Sequence, residues 1–172
     1  MSTAPILQTA RLTLRLPAAR DIDAYAAFFA DAAAPHFYGG PLRRDQAHGV
    51  LCRDLGHWHL RGFGKFVIEA EGAVLGGCGI NHPDGWPGHE LTWWLLPAAR
   101  GRGVAAEASR AVLAWARDTL GREVVETHFR DGNTAARRLT ESLGGRKVRR
   151  AVFPDGNPRD IYAIPTKAEA VA

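Results

Sequence analysis

The segment from Glu90 to Ala116 joins a buried strand, a glycine-rich turn and an amphipathic helix, and it constrains the fold more than any other stretch. An apolar and aromatic run starts at Glu90 and stops at Pro97, which is typical of a buried strand. The turn RGRG follows at 100–103, and apolar residues then recur at helical spacing from Val104 to Thr119. The sequence therefore predicts a strand, a tight turn and a helix in direct succession.

The turn has the composition of a diphosphate-binding site. Gly101 and Gly103 allow backbone dihedrals that a side chain would forbid, and they let a ligand approach the main chain. The first turn of the following helix offers unpaired N–H groups and the positive end of the helix dipole. Arg100 and Arg102 can add bidentate contacts to the same anion. The structural alternative is an ordinary strand-to-helix turn with surface arginines.

Two phosphate-binding motifs fit these residues. The segment Gly101–Ala106 satisfies G-x-G-x-x-A, the dinucleotide fingerprint, and Glu123 lies about 20 residues further on, where a carboxylate would bind the ribose. The overlapping segment Arg100–Ala105 satisfies R-x-x-G-x-A instead. The order of elements in the rest of the chain has to decide between them.

The chain has the length and composition of one soluble domain. It has 172 residues, of which 46% are hydrophobic and 23% charged, so it can bury a core. The start at Met1–Pro5 lacks the features of a signal peptide, and no window approaches the roughly 18 apolar residues of a membrane span. We expect a cytoplasmic protein with one domain over residues 1–172, of which the last, from about 166, form a frayed tail.

Charge alone does not select a partner. A net charge of +4 suits nucleic acid and a polyanionic cofactor equally, and the basic run Arg146–Arg150 suits an exposed strand flank or a coenzyme phosphate better than nucleic acid. The spacing of His82, Asp84 and His89 matches no standard metal site. We therefore expect no metal, no nucleic acid and no membrane partner.

Periodicity and turn signals predict the element order β-α-α-β-β-β-α-β-α-β-β. A dinucleotide-binding domain repeats βα units and carries its fingerprint in the first of them, whereas these glycines follow a meander, so the order disfavours the dinucleotide motif. A helix connects the strand at Glu90 to the next one at Glu123, so we expect these two strands to be parallel. The predicted strands are Arg11–Leu16, Lys65–Ala70, Ala73–Ile80, Glu90–Pro97, Glu123–Phe129, Arg146–Phe153 and Arg159–Ile164.

Three segments resemble, in order, the GNAT superfamily of N-acetyltransferases, in the branch that includes ribosomal-protein-alanine N-acetyltransferases. TARLTLR from Thr9 is similar to the family's opening strand. ELTWWLLP from Glu90, followed by GRGVAAEA from Gly101, is similar to its central motif. NTAARRLTESLG from Asn133 is similar to its motif N-x-x-S-x-R-x-x-E-x-L-G. The resemblance covers nearly the whole chain. It implies an α/β (α+β) fold: a mixed, mostly antiparallel sheet of about six to seven strands with a splayed parallel pair, flanked by about four helices.

The resemblance also implies acetyl-CoA as cosubstrate, lodged between the strands at Glu90 and Glu123. Its pyrophosphate would lie on the N–H groups of the glycine-rich turn, and its pantetheine arm would pair with the backbone of the preceding strand. Asn133 would contact the arm from the other side, although it is also a natural helix cap. The implied cofactor-binding residues are Trp94, Leu95, Leu96, Arg100, Gly101, Arg102, Gly103, Val104, Ala105 and Asn133.

The implied reaction is direct transfer of acetyl to a primary amine, either a protein N-terminal amine or a small molecule. An amine of pKa about 10 is mostly protonated at neutral pH and needs a base. Glu90 matches the position at which several family members carry a catalytic glutamate; the alternative is a carboxylate paired with a neighbouring cation. A backbone N–H near Leu95 would stabilise charge on the thioester oxygen.

Three positions depart from the family pattern. Thr140 replaces a tyrosine that protonates the departing thiolate in many relatives, Ala136 replaces a serine, and Gly145 replaces an aromatic residue. A catalytically weak CoA-binding regulatory or interaction module therefore stays open as an alternative.

Five loop and helix residues are the expected walls of the acceptor pocket: Phe37, Tyr38, Trp58, His82 and Trp86. The alternative for Phe37 and Trp58 is a place in the core. An apolar sheet edge could pair two chains, so we expect a monomer or a homodimer.

Overall fold

In the computed structural model, which describes residues 5–33 and 40–167, eight strands form one sheet. They are β1 (Leu7–Gln8), β2 (Thr13–Arg15), β3 (Lys65–Ala70), β4 (Ala73–Asn81), β5 (Glu90–Leu95), β6 (Val124–His128), β7 (Arg146–Val152) and β8 (Pro158–Pro165). Their spatial order is β1-β2-β3-β4-β5-β6-β8-β7, and only the β5–β6 pair is parallel. The predicted mixed sheet with one parallel pair is confirmed.

Four α-helices lie in the described residues: α1 (Ile22–Ala30), α2 (Arg44–Arg61), α3 (Val104–Leu120) and α4 (Thr134–Ser142). Their order matches the prediction. Two glycines delimit α3, because Gly103 (φ 75°) and Gly121 (φ 64°) adopt the left-handed conformation that favours glycine. No helix in this part of the chain is long and apolar enough to cross a membrane.

A short strand that was not predicted, β1, precedes the first predicted strand, which is why the sheet has eight strands rather than six to seven. Thr9 forms a turn with Leu12: the Leu12 N–H donates to Thr9 Oγ1 at 2.9 Å, and the Thr9 N–H donates to the Leu12 carbonyl at 2.9 Å. The chain therefore folds back, and Leu7 pairs with Leu14.

The sheet carries a buried cluster on each face. Because side chains alternate along β3, Phe66 and Ile68 join the cluster that includes α3, whereas Val67 joins the cluster with α1 and α2. Burying one apolar side chain of this size contributes about 1.5–3 kcal/mol. The two clusters thus hold α3 and the α1–α2 pair against opposite faces of the central strands.

Trp58 lies in the core, so its assignment to the acceptor pocket is wrong. Its side chain is 7% exposed, its Nε1–H donates to the Lys65 carbonyl at 2.7 Å, and its ring contacts Phe66 and Trp115. Gly64 makes room for the indole, because a Cβ there would lie 2.8 Å from it. Two further predicted pocket residues, Phe37 and Tyr38, fall outside the described residues.

Candidate active site

The parallel strands β5 and β6 pair only at their beginnings, and a cleft opens beyond that point. Glu90 is in register with Glu126, the Glu126 N–H donates to the His89 carbonyl at 2.9 Å, and the Thr127 hydroxyl donates to the Leu91 carbonyl at 2.8 Å. No further register pair joins the two strands in the described residues. The predicted splayed pair is confirmed.

Trp93 and Leu95 of β5 turn their backbone groups to this cleft, as the hydrogen bonds of their neighbours show. The Leu96 N–H donates to the Leu75 carbonyl of the neighbouring segment at 2.9 Å. Because hydrogen bonding alternates along an antiparallel pair, Trp94 also turns its N–H toward β4, whereas Trp93 and Leu95 turn theirs away, toward β6. Of the three residues predicted to pair with the pantetheine arm, Leu95 therefore turns its N–H to the cleft, whereas Trp94 and Leu96 turn theirs toward β4.

The N-terminus of α3 lies at the same cleft and has no side-chain cap. The first N–H bonded within the helix is that of Glu107, which donates to the Gly103 carbonyl at 3.0 Å. The N–H groups of Val104, Ala105 and Ala106 precede it, so they lack an acceptor inside the helix. This geometry is the anion-binding arrangement that the glycine-rich turn predicted.

The two arginines of the turn contact backbone carbonyls. Arg100 donates through Nε to the Leu95 carbonyl at 3.1 Å and through Nη2 to Asp31 at 3.3 Å. Arg102 donates to the Ala98 carbonyl at 3.5 Å. Both side chains therefore stabilise the end of β5 and the turn that follows it.

A third arginine, which sequence reasoning missed, braces the first turn of α3. Arg11 donates to the Arg102 carbonyl at 3.1 and 3.2 Å and forms an ion pair with Glu107 at 2.7 Å. The Thr9 hydroxyl donates to Glu107 at 2.6 Å and is the largest cause of the lowered pKa of that carboxyl. Because Arg11 offsets the charge of Glu107, this acid does not repel an anion at the helix N-terminus.

The cleft forms a cavity of about 460 Å³. It is lined by eight of the ten predicted cofactor residues, Leu96 and Arg102 being the exceptions. Asn133 both caps α4, through an acceptor bond from the Ala136 N–H to Oδ1 at 3.1 Å, and lines the cavity. The residues gathered here are Trp94, Leu95, Arg100, Gly101, Gly103, Val104, Ala105 and Asn133.

A second cavity, of about 720 Å³, meets the first at β5. Both cavities are lined by the same five residues at their junction, namely Phe28, Glu90, Thr92, Trp93 and Trp94. The predicted pocket residues His82 and Trp86 line the second cavity. Two ligands could therefore approach β5 from two directions and meet beside Glu90.

Two buried polar contacts support the wall of the second cavity. The His57 Nδ1 lies 2.7 Å from the Phe63 carbonyl, and its Nε2 accepts from the His82 N–H at 3.0 Å, which ties α2 to the loop after β4. Asp54 accepts from Lys65 at 2.7 Å and from the Tyr25 hydroxyl at 2.8 Å. The wall is thus held by paired polar groups.

Glu90 is 8% exposed and contacts a histidine that sequence reasoning missed. Its Oε2 lies 3.2 Å from Nε2 of His128, the last residue of β6. The His128 ring is stacked on Trp86 at 5.5 Å and packs against Phe153 at 4.1 Å between ring centroids. The sequence offered one signal for this contact: His128 lies near the end of a strand predicted to be parallel to the strand of Glu90.

Thr140 does not take the place of the missing tyrosine. It is fully buried in α4 and does not line the cleft. Its methyl group occupies the space beside Gly145, where a Cβ would lie 2.5 Å from Thr140 Cγ2. The departures at these two positions are therefore coupled by packing.

Most of the remaining charged candidates are paired within the described residues. No group of three or more His, Cys, Asp or Glu side chains there could hold a metal ion, although the rings of His82 and His89 lie 4.6 Å apart. Three of the four cations of the basic run contact carboxylates: Arg149 with Glu126, Arg150 with Asp131 and Asp160, and Lys147 with Asp160.

A mixed sheet splayed at its parallel pair, with an uncapped helix N-terminus at the cleft, suits an extended ligand that carries an anionic group. Residues 11–146 match the family described as "Acetyltransferase (GNAT) domain". The match spans well over half of the chain, so the protein belongs to the GNAT acetyltransferase family.

Solved structures of acetyltransferases share this fold. An acetyltransferase from Agrobacterium tumefaciens str. C58 is 34% identical, with 95% of each chain covered and a TM-score of 0.84. A GNAT-family acetyltransferase from Bacillus anthracis is 19% identical, with 94% of this chain and 99% of that chain covered and a TM-score of 0.78. RimL, a ribosomal L7/L12 alpha-N-protein acetyltransferase in complex with coenzyme A, is 13% identical, with 94% and 98% covered and a TM-score of 0.76.

Proposed function

We propose that this protein transfers an acetyl group from acetyl-CoA to a primary amine, which is a small molecule or a protein N-terminal amine. One observation carries the proposal: unpaired backbone groups of β5 and the uncapped N-terminus of α3 line the same cleft. An extended chain that ends in a diphosphate matches both features, because backbone groups bind its amides and the helix N-terminus binds its phosphates. The coenzyme A in the RimL structure supports this choice of ligand.

The described residues suit each part of the cosubstrate. The N–H groups of Val104 and Ala105 would hold the pyrophosphate, because they point away from their own helix without an acceptor. The backbone of Trp93 and Leu95 would pair with the pantetheine amides. The Asn133 side-chain carbonyl is used in capping, which leaves its NH₂ group for the opposite side of the arm.

The acceptor amine would enter through the second cavity and meet the thioester beside Glu90. This carboxylate lines both cavities, and its burial limits competition by bulk water. We assign it the role of general base, which accepts the proton that the amine nitrogen loses during attack on the thioester carbon. A backbone N–H of β5 that faces the cleft would stabilise the charge on the carbonyl oxygen.

A second candidate is a catalytically weak CoA-binding regulatory or interaction module. The burial of Thr140 away from the cleft favours it, because the hydroxyl at this position is not available to protonate a thiolate. The two candidates share the cosubstrate site and differ in turnover.

Ligand titration followed by turnover tests the proposal. Coenzyme A should raise the midpoint of thermal unfolding, whereas NAD and ATP at equal concentration should not. Release of free thiol from acetyl-CoA, measured with a panel of small amines and N-terminal peptides, then separates an enzyme from a module. No stabilisation by coenzyme A would overturn the whole proposal.

The role of Glu90 is tested by Glu90→Gln. We expect kcat to fall about 10²- to 10⁴-fold with the affinity for coenzyme A unchanged within about twofold. Glu123→Gln, an exposed site before β6, is the matched control and should keep full activity. A Glu90→Gln variant with unchanged kcat and pH–rate profile would exclude the carboxylate as the base.

A further inference from the structure

His128 occupies a distinct position relative to the two cavities. It lines the cosubstrate cleft and not the acceptor cavity, whereas its contact partner Glu90 lines both. The distance of 3.2 Å between His128 Nε2 and Glu90 Oε2 allows a proton to pass between them. The pair thus connects the side from which the amine enters to the side on which the thiol leaves.

We propose that His128 protonates the departing thiolate and that Glu90 supplies its proton; this role rests on the acetyl transfer proposed above. The neutral amine attacks the thioester carbon, so a C–N bond forms, and the C–S bond then breaks. The nitrogen loses one proton to Glu90, which passes it to the imidazole. The imidazolium gives that same Nε2 proton to the sulfur, so the imidazole returns to the tautomer in which it began. One proton leaves nitrogen and one reaches sulfur, and both residues return to their starting states.

Packing holds the imidazole in place for this role. His128 is 7% exposed, and its ring packs against the aromatic rings of Trp86 and Phe153, which also contact each other. A ring fixed in this way keeps Nε2 toward Glu90 through successive turnovers. The same fixed geometry makes His128 a catalytic residue of the cleft wall, which the buried Thr140 cannot be.

Several charged groups surround the pair. Glu90 is the nearest, in direct contact. The Glu126–Arg149 ion pair lines the small cavity next to His128, and Arg159, paired with Asp155, lies 4.8 Å from the Phe153 ring. Because the two latter carboxylates are neutralised by arginines, the Glu90 carboxylate is the main partner of the imidazole.

The substitution His128→Gln tests the proposal. Glutamine can keep an N–H donor toward Glu90 but cannot relay a proton, so a merely structural histidine would be replaced at little cost. We expect kcat for the best amine of the panel to fall about 10²- to 10⁴-fold, with the Kd of coenzyme A unchanged within about threefold. Added imidazole should restore part of kcat in this variant. His48→Gln, on the exposed surface of α2, should keep wild-type kcat.

A second measurement needs no change at His128. The wild-type pH–rate profile for kcat should show two coupled ionisations, and Glu90→Gln should leave one. Wild-type kcat and pH profile in His128→Gln, or no rescue by imidazole in a folded variant, would overturn the role of His128 while acetyl transfer stands. If the wild-type protein binds coenzyme A but acetylates no amine, the proposed function and the role of His128 both fall.

Discussion

The substitution Ala105→Pro separates the binding role of the α3 N-terminus from its structural role. Proline lacks the backbone N–H but suits the first turn of a helix, where that N–H has no acceptor within the helix. Ala105 lies in this first turn, and the first intrahelical bond is made two residues later by Glu107. The change therefore removes one proposed phosphate donor and no hydrogen bond of the fold.

The magnitude follows from that single donor. A hydrogen bond to a charged group contributes about 1.5–3 kcal/mol, so its loss should weaken coenzyme A binding by about 10- to 150-fold. The free protein should lose at most about 1 kcal/mol of stability, which corresponds to about 2–4 °C in Tm. By contrast, Ala114→Pro in the middle of α3 removes an intrahelical bond and should cost about 3 kcal/mol or more.

Isothermal titration calorimetry with coenzyme A and thermal unfolding of the free variants measure the two quantities. Ala105→Gly retains the N–H and serves as the control, with affinity expected within about twofold of wild type. Unchanged affinity in a folded Ala105→Pro variant would show that these amides do not hold the pyrophosphate. A Tm decrease as large as that of Ala114→Pro would show that the N–H contributes to the fold.

Two further predictions concern stability. Gly145→Ala should destabilise the protein by about 1–3 kcal/mol in urea unfolding, because its Cβ would lie 2.7 Å from the Thr140 carbonyl oxygen. Gly49→Ala, at an open site in α2, should instead stabilise the protein by about 0.5–1 kcal/mol. Equal effects of the two substitutions would contradict the packing argument. Burial, more than the charge of Arg122, lowers the pKa of His89 from 6.5 to about 4, so the unfolded state binds a proton first and stability falls as the pH falls between these values. Partial exposure limits this loss to roughly 1–2 kcal/mol, and His89→Gln should abolish that part of the pH dependence; an unchanged slope would contradict it.

The periodicity of the chain was sufficient to predict its elements, because side-chain alternation and helical spacing are local properties. The short strand Leu7–Gln8 was missed because its pairing depends on a turn closed by a side-chain bond between Thr9 and Leu12, which the alternation does not reveal. The place of Trp58 was missed because helical spacing does not say which buried face receives an aromatic residue. The position of the Trp58 ring depends on Gly64, which lies between α2 and β3 and leaves space for the indole.

The site was predictable as far as it consists of contiguous backbone. The glycine-rich turn and the start of α3 follow one another in the sequence, so their joint role could be inferred. His128 could not be inferred in the same way, because its contact with Glu90 requires the register in which Glu90 lies beside Glu126. The sequence could not say which of Trp94, Leu95 and Leu96 turn their N–H groups to the cleft for a related reason, since that depends on which residues of β5 bond to β4.

Side chains satisfy two backbone carbonyls of β5 where the β5–β6 ladder ends. The Thr127 hydroxyl donates to the Leu91 carbonyl and Arg100 donates to the Leu95 carbonyl, so both acceptors are satisfied while the strands diverge. Between these two points lie both backbone groups of Trp93 and the N–H of Leu95. An extended ligand with amide groups would complete this gap as an added strand would, and the gap ends beside the uncapped α3. The fold therefore offers one continuous path, with amide contacts at one end and phosphate contacts at the other, which matches the order of groups in the proposed cosubstrate.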